Sequence, residues 1–157
     1  MNESLIGYKI KAISELIVIN QNRTLGYFTA AKKSIYADFD QLFFDLAFRS
    51  KNFIDELEII LKYLGGQPLG NNKTTGKVYR AWRDMKAAIN LNNRKTILTC
   101  CESGEQEALK YYKELEENDE ILFTPDEQII IDEQSHDIEM ALDKIKALQK
   151  IEETAHL

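Results

Sequence analysis

The stretch from Thr124 to Ile151 constrains the fold most strongly, because one helical pattern runs through it without interruption. Thr124 is a suitable N-cap, Pro125 suits the first helical position, and Glu127 completes a Thr-x-x-Glu capping box. Isoleucine, leucine and alanine then recur every three to four residues, while Asp, Glu and Lys fill the other side. The sequence therefore predicts a long amphipathic helix over 125–151 that needs other helices to cover its apolar side.

Composition favours an all-α chain with a single domain over residues 1–157. The sequence contains two prolines and seven glycines, and 44% of its residues are hydrophobic, which is enough to form a core. The formal charge is −6, and no cluster of Lys and Arg provides the positive surface that nucleic-acid phosphates require. We therefore expect no nucleic-acid partner.

Cysteine usage and hydropathy indicate a cytoplasmic protein. Cys100 and Cys101 are adjacent in a chain with two cysteines, so no framework of intrachain disulfides is expected. Charged and polar residues such as Glu15 and Asn20 interrupt the apolar residues near the start, unlike in a secretory signal. No segment reaches roughly 18 unbroken apolar residues, so no membrane span is expected either.

The first long helix is expected over 4–34, where apolar residues step alternately by four and three. Two members of this seam, Asn20 and Thr24, are polar. Our preferred interpretation is that they form hydrogen bonds between helices or to bound water, and the alternative is that they line a ligand site.

The second long helix is expected over 38–64, with Asp38 as its N-cap and Gly65-Gly66 as its end. Ser50 is a polar residue at the centre of its aromatic-rich inner stripe. A second apolar stripe lies on another side of the same helix, so this helix has two faces to cover. The second stripe consists of Phe44, Phe48, Ile59 and Tyr63.

A long connection separates the second and third long helices. Residues 65–75 are rich in Gly, Asn and Pro and are expected to form a loop, and 76–89 is expected to form a short amphipathic helix. Its apolar side is predicted to be covered by the second face of the 38–64 helix or by a partner subunit. A long connection at this place lets the flanking helices run parallel, which predicts a ferritin-like four-helix bundle with a crossover containing a short extra helix. The apolar residues of the short helix are Val78, Trp82, Met85 and Ile89.

The third long helix is expected over 93–117. Small residues at Cys101, Gly104 and Ala108 would let a neighbouring element approach closely, which favours a packing role for Cys101 over thiol chemistry. Glu105 lies about 50° from the centre of the inner stripe and is expected to point partly inward.

Several motifs in the same order resemble a bacterial family of ferritin-like four-helix-bundle proteins, catalogued as a domain of unknown function and associated with stress responses. This resemblance implies the bundle fold, the short crossover helix and a homodimer, and it brings no established activity. The motifs are Leu64-Gly-Gly-x-Pro68, Tyr79-Arg-Ala-Trp82-Arg-Asp-Met-Lys86, the run 98–112, Gln134-x-x-x-Ile138 and Asp143-x-Ile145-x-Ala147-Leu148.

Ferritin-like metal proteins take single glutamates from two helices and a Glu-x-x-His pair from each of the other two. Here Asn20 stands where the first carboxylate is expected, and the second helix offers Ser50 and neutral or basic neighbours. The candidate metal ligands are therefore Glu105 and the pair Glu133 and His136. Glu133 lies inside the apolar arc of its helix, whereas His136 lies at the edge and is interpreted as a surface histidine.

A polar layer is predicted at mid-height of the bundle, because polar residues fall near the middle of each long helix. These residues are expected to bond to one another, to water or to a weakly held cation. The layer is predicted to contain Asn20, Thr24, Ser50, Glu105 and Glu133.

Two classes of function follow from this layer. The preferred one is a non-enzymatic, stress-related structural or interaction protein with no cofactor, whose di-metal site has been lost. The alternative is a metal-binding oxidase, peroxidase or storage protein with iron or manganese. The outer stripe of the second helix, extended by Val18 and Ile19 of the first, further predicts a homodimer.

Overall fold

Five α-helices form the part of the chain that the structure, a computed structural model, describes: residues 3–67 and 77–155 without the side chains of Lys77 and Val78. The predicted all-α class is confirmed. The segments expected from the sequence coincide with these helices to within one residue at every end except the last, which continues beyond Ile151. The predicted loop lies outside the described residues from position 68 onward. The prediction that Val78 lies on the apolar side of the short helix also concerns a side chain outside the described part. The helices are α1 Glu3–Lys33, α2 Ala37–Tyr63, α3 Lys77–Asn90, α4 Arg94–Glu116 and α5 Pro125–Ala155.

The start of α5 has the capping box that the sequence predicts. The backbone N–H of Thr124 donates to Oε1 of Glu127 at 2.9 Å, and the backbone N–H of Glu127 donates to Oγ1 of Thr124 at 3.2 Å. Nζ of Lys9 also lies 2.6 Å from Oε1 of Glu127. The capping carboxylate therefore anchors the start of α5 to the start of α1.

The start of α2 differs from the prediction. Its N-cap is Tyr36, which makes no capping bond with its side chain, and Asp38 lies in the first helical turn. Both carboxylate oxygens of Asp38 accept hydrogen bonds from Arg94, at 2.9 and 2.7 Å. The assignment of Asp38 as a cap is wrong, because Arg94 at the start of α4 binds its carboxylate instead.

The helix pairs define the topology. The most extensive helix pairings are α1 with α2 and α4 with α5. The Lys9–Glu127 pair brings the starts of α1 and α5 together, and the Asp38–Arg94 pair brings the starts of α2 and α4 together. Because α2 and α4 start at the same end of the bundle, they run parallel, as expected for helices joined by a long connection.

The short helix α3 packs against α1 and α4, so the prediction that it lies on the second face of α2 is wrong. Its Trp82 fits where two glycines leave space. A Cβ added at Gly26 of α1 would lie 2.5 Å from Cε3 of Trp82, and one added at Gly104 of α4 would lie 2.7 Å from Cε2. The predicted close approach at Gly104 is confirmed, and the indole is the group that approaches.

The core consists of two apolar clusters separated along the bundle by a buried polar layer. One cluster surrounds Tyr27, Phe43 and Trp82, and the other surrounds Ile13, Leu57 and Ile131. Within the described residues, no helix is both long enough and apolar enough to cross a membrane.

The buried polar layer as candidate functional site

An arginine and a glutamate occupy the centre of the polar layer. Nε and Nη2 of Arg23 on α1 donate to Oε1 and Oε2 of Glu105 on α4 at 2.7 and 2.8 Å. Both side chains are 0% exposed. The inward orientation predicted for Glu105 is confirmed, and a bidentate guanidinium satisfies both of its oxygens.

Asn20 extends this pair toward α4. Its Oδ1 accepts from Nη1 of Arg23 at 2.9 Å, and its Nδ2 donates to the hydroxyl of Tyr112 at 2.9 Å and to the carbonyl of Leu16 at 2.9 Å. The interpretation that Asn20 forms a hydrogen bond between helices is therefore confirmed.

Tyr112 and Gln134 continue the network to the other two long helices. The Tyr112 hydroxyl donates to Oε1 of Gln134 on α5 at 2.6 Å. Nε2 of Gln134 donates to the carbonyl of Phe53 at 3.3 Å and to Oε1 of Glu56 at 3.2 Å, both on α2. One chain of hydrogen bonds thus connects α1, α4, α5 and α2, and each buried amide or hydroxyl in it has a partner.

Thr24 and Ser50 form a second connection between α1 and α2. Their hydroxyl oxygens lie 2.7 Å apart, and each also lies 2.8 Å from a backbone carbonyl of its own helix, that of Asn20 for Thr24 and that of Ala47 for Ser50. Each hydroxyl has one proton, so one of the two donates to the other hydroxyl and the second donates to its carbonyl. The polar mid-layer is therefore confirmed at Asn20, Thr24, Ser50 and Glu105.

Electrostatics keep the Arg23 guanidinium charged and the Tyr112 hydroxyl neutral. Burial by itself lowers the pKa of Arg23, but the charge of Glu105 and its hydrogen bonds outweigh that effect, so the net pKa lies above the usual value. Burial raises the pKa of Tyr112, although its bond from Asn20 acts in the opposite direction. The layer thus contains a guanidinium that stays protonated and a phenol that stays neutral.

Beside this network, the hydroxyl of Tyr27 and Nε1 of Trp82 are buried and have no hydrogen-bond partner among the described residues. Their rings meet edge to face with centroids 4.6 Å apart. Burial and the nearby charge of Glu105 raise the pKa of the Tyr27 hydroxyl and also that of the Cys101 thiol. The predicted packing role of Cys101 fits this environment, because a neutral buried thiol is a poor nucleophile.

The three candidate metal ligands have different positions. Glu105 is buried and bound to Arg23, whereas Glu133 is exposed and the side chain of His136 is 73% exposed. The prediction that Glu133 belongs to the polar layer is wrong: the neighbouring Gln134 points inward instead. Among the described residues, no group of three or more His, Cys, Asp or Glu side chains could hold a metal ion.

The sequence analysis did not predict that Arg23, the hydroxyl of Tyr112 and the inward-pointing Gln134 take part in the buried network. A signal existed for Arg23, which follows Asn20 by three residues and therefore shares its helix face. Tyr112 follows Ala108 by four residues and shares its helix face, but periodicity does not reveal the partners of its hydroxyl. Gln134 follows Ile131 by three residues, but the run of three isoleucines at 129–131 made the centre of that face ambiguous.

Chemically, the layer is a closed set of hydrogen bonds. Both oxygens of Glu105 accept from Arg23, the amide of Asn20 is engaged at both ends, and the tyrosine hydroxyl donates and accepts. An alignment that separated Arg23 from Glu105 would leave a buried charge unpaired, which is costly.

Comparison with known proteins places the chain in a family. No curated protein and no solved structure matches it. Residues 9–118, well over half of the chain, match the family described as Domain of unknown function (DUF2383), and the match includes both Arg23 and Glu105. The chain therefore belongs to the DUF2383 family of domains of unknown function.

Proposed function

We propose that this protein is a non-enzymatic, ferritin-like bundle that serves as a structural or interaction protein under stress, with an arginine–glutamate pair where a di-metal protein holds its metals. The observation that carries this proposal is the fully buried, bidentate pair of Arg23 and Glu105. A guanidinium supplies the positive charge that a metal would otherwise supply to an inward carboxylate.

The side chains at this level support the proposal. A di-metal bundle uses four glutamates and two histidines that project inward. Here Asn20 and Gln134 are engaged in hydrogen bonds as neutral amides. The remaining carboxylate and imidazole candidates, Glu133 and His136, are on the outside of α5.

Charge also opposes metal binding in the layer. A divalent cation that reaches Glu105 must compete with a guanidinium already 2.7 Å from its carboxylate. Removing one member of a buried ion pair costs about 3–5 kcal/mol, and metal binding would first have to overcome a penalty of that kind.

The test is the metal content of protein purified without chelator and then reconstituted with Fe(II) or Mn(II). We expect well below one equivalent per chain in the wild type, with no change in Glu105→Ala. Glu105→Gln is measured beside it, because this variant keeps a hydrogen-bonding oxygen for Arg23. Glu107→Ala, on the same helix, is the matched control.

Stoichiometric, tightly held iron that is lost in Glu105→Ala or Glu133→Ala but kept in Glu107→Ala would overturn the proposal. The oxidase, peroxidase or storage function would then replace it.

The role under stress is supported by the family resemblance, and it needs its own test. Cells without the gene are compared with complemented cells during starvation and peroxide exposure. We expect lower survival without the gene and recovery with the wild-type copy. Equal survival under these conditions would reject this part of the proposal.

A further inference from the structure

The outer face of α2 leaves four large apolar side chains open to solvent, because α3 packs on α1 and α4 instead. Aromatic contacts hold part of this surface in place: Phe28 of α1 meets Phe44 and Phe48 edge to face, with centroids 6.1 and 5.3 Å apart. A preformed apolar surface of this kind is typical of a contact site. The exposed fractions are 37% for Phe44, 56% for Phe48, 72% for Ile59 and 88% for Tyr63.

The spacing of these residues is symmetric along the helix. Phe48 and Ile59 lie equally far on either side of the midpoint between Phe53 and Ile54, and so do Phe44 and Tyr63. At 100° per residue, all four lie within about 50° of the centre of one face. A helix face with this symmetry matches itself when a second copy runs in the opposite direction.

We propose that this face binds a second copy of the chain, with the two α2 helices antiparallel and a twofold axis passing the midpoint between residues 53 and 54. Phe48 then lies at the level of the partner's Ile59, and Phe44 lies at the level of the partner's Tyr63. The apolar contact extends over about 28 Å at 1.5 Å rise per residue. The interface is isologous, so each contact occurs twice.

The charges at the centre of the face favour a second copy of the chain as the partner, with its α2 antiparallel. Lys51 and Asp55 are 58% and 59% exposed, and their 4.0 Å separation within the chain is at the limit of an ion pair. In the antiparallel alignment, each Lys51 lies on the same flank as the partner's Asp55, with a height difference of about 1.5 Å. In a parallel alignment, Lys51 and the partner's Asp55 would lie on opposite flanks of the contact, so this pairing would be lost.

One flanking charge adds to this complementarity. Among the described residues, Glu58 forms no ion pair within the chain. In the antiparallel alignment, the partner's Glu58 lies on the flank of Lys51, about 3 Å away in height.

The structure also limits the surface. Ile19, which the sequence assigned to the same patch, is 7% exposed and belongs to the core, while Val18 is half-buried. The prediction that Ile19 extends the interface is wrong, because its side chain packs inside one chain. The proposed contact is therefore formed by α2 together with Phe28.

The test uses charge reversal and sedimentation velocity. The wild type is expected to be a dimer at micromolar concentration. Lys51→Glu alone and Asp55→Lys alone should each weaken the dimer about five- to thirtyfold, since two attractive pairs become repulsive. Lys146→Glu, an exposed change on α5, is the matched control and should leave the dissociation constant unchanged.

Mixing the two single variants is the decisive step. Both variants break the ion pair within their own chain, but in a mixed dimer every introduced charge faces an opposite charge. The mixture should therefore form a heterodimer with nearly wild-type affinity. Recovery in the mixture requires contact between chains.

Disulfide trapping then tests the alignment. Phe48→Cys and Ile59→Cys should crosslink to each other when mixed and oxidised, and neither should crosslink with itself, because identical positions lie about 16 Å apart along the helix. The wild type controls for Cys100 and Cys101, which are half-buried and buried.

Several results would overturn this proposal. They are a wild-type monomer at micromolar concentration, whether or not it binds lipid vesicles or a different protein, a dimer insensitive to both charge reversals, a mixture that does not recover, and crosslinking of either cysteine variant with itself. Circular dichroism of each variant establishes that it remains folded.

Discussion

Arg23 and Glu105 form a bidentate ion pair in the centre of the bundle, although 82 positions separate them in the chain. The pair lies between two apolar clusters, so neither charge has solvent to stabilise it. A buried pair of this kind adds little net stability, but removal of one partner is costly because the other is left unpaired. The pair joins α1 to α4.

Single and double substitutions of this pair should differ sharply. Arg23→Met or Glu105→Leu alone should lower the free energy of unfolding by about 3–5 kcal/mol, whereas the double variant should lie within about 1–2 kcal/mol of the wild type. Urea unfolding followed by circular dichroism measures both. Additive losses in the double variant would contradict this expectation.

The surface offers a matched control for that experiment. Nη1 of Arg49 lies 2.7 Å from Oδ1 of Asp137, the same distance as in the buried pair, but the side chain of Arg49 is 52% exposed. Arg49→Met should therefore cost less than about 1 kcal/mol. A loss as large as that of Arg23→Met would show that burial is not the cause.

Substitution of the two glycines that contact Trp82 should displace its indole. Gly26→Ala and Gly104→Ala each place a methyl group within 2.7 Å of the ring, and overpacking of this kind costs about 1–3 kcal/mol. Trp82 is the single tryptophan of the sequence and is 4% exposed, so its emission should shift to the red as it moves toward solvent.

Two further variants test that explanation. Gly7→Ala adds a methyl group with no atom of the described residues within 4 Å, and it should stabilise α1 by about 0.5–1 kcal/mol. Gly26→Ala should cost less in a Trp82→Leu background than in the wild type, because the smaller side chain removes the clash. An equal cost in both backgrounds would indicate that the glycine acts through the backbone instead.

Phe48→Glu should yield a monomer without unfolding the bundle. Phe48 is 56% exposed on the outer face of α2, so a charge at this position leaves the inner stripe intact. In the dimer, the same charge would be placed in the apolar contact with the partner, which is unfavourable. Sedimentation and thermal unfolding measure the two effects separately. A variant that unfolds outright would show that this face belongs to the core of one chain.

Acid should weaken the contact between α2 and α4. Hydrogen bonds from Arg94 lower the pKa of Asp38 below its usual value, so the carboxylate stabilises the fold above the unfolded pKa and loses this contribution as pH falls through the folded pKa. Because Asp38 is 53% exposed, Asp38→Asn should cost about 0.5–1 kcal/mol at neutral pH.

The difference between wild type and Asp38→Asn should vanish in acid, as measured by urea unfolding from pH 7 to pH 2. In an Arg94→Leu background, Asp38→Asn should have little effect at any pH. A constant difference across this range would contradict the assignment.

Sequence reasoning predicted the helices well because their signals are local. The capping box of Thr124 and Glu127 involves residues three positions apart, and apolar periodicity is a property of one turn and the next. The glycines at 65 and 66 end α2 as expected, with Gly65 at φ 83°. The inward position of Glu105 followed from the same periodicity.

Periodicity was less decisive where several adjacent residues are apolar. The three isoleucines at 129–131 allow more than one choice for the inner face of α5, and a rotation of about 100° exchanges Glu133 for Gln134. The structure places Ile131 and Gln134 inside and Ile129 on the surface. Packing against the other helices determines which face of α5 is buried.

The sequence by itself determined the all-α class, the helix ends and the presence of polar residues at mid-height, because each depends on neighbours within a few turns. The tertiary structure alone decided that Arg23 meets Glu105 and that Trp82 lies between Gly26 and Gly104. Such pairings join distant parts of the chain, and an amphipathic helix fits many partners until packing and buried charge select one.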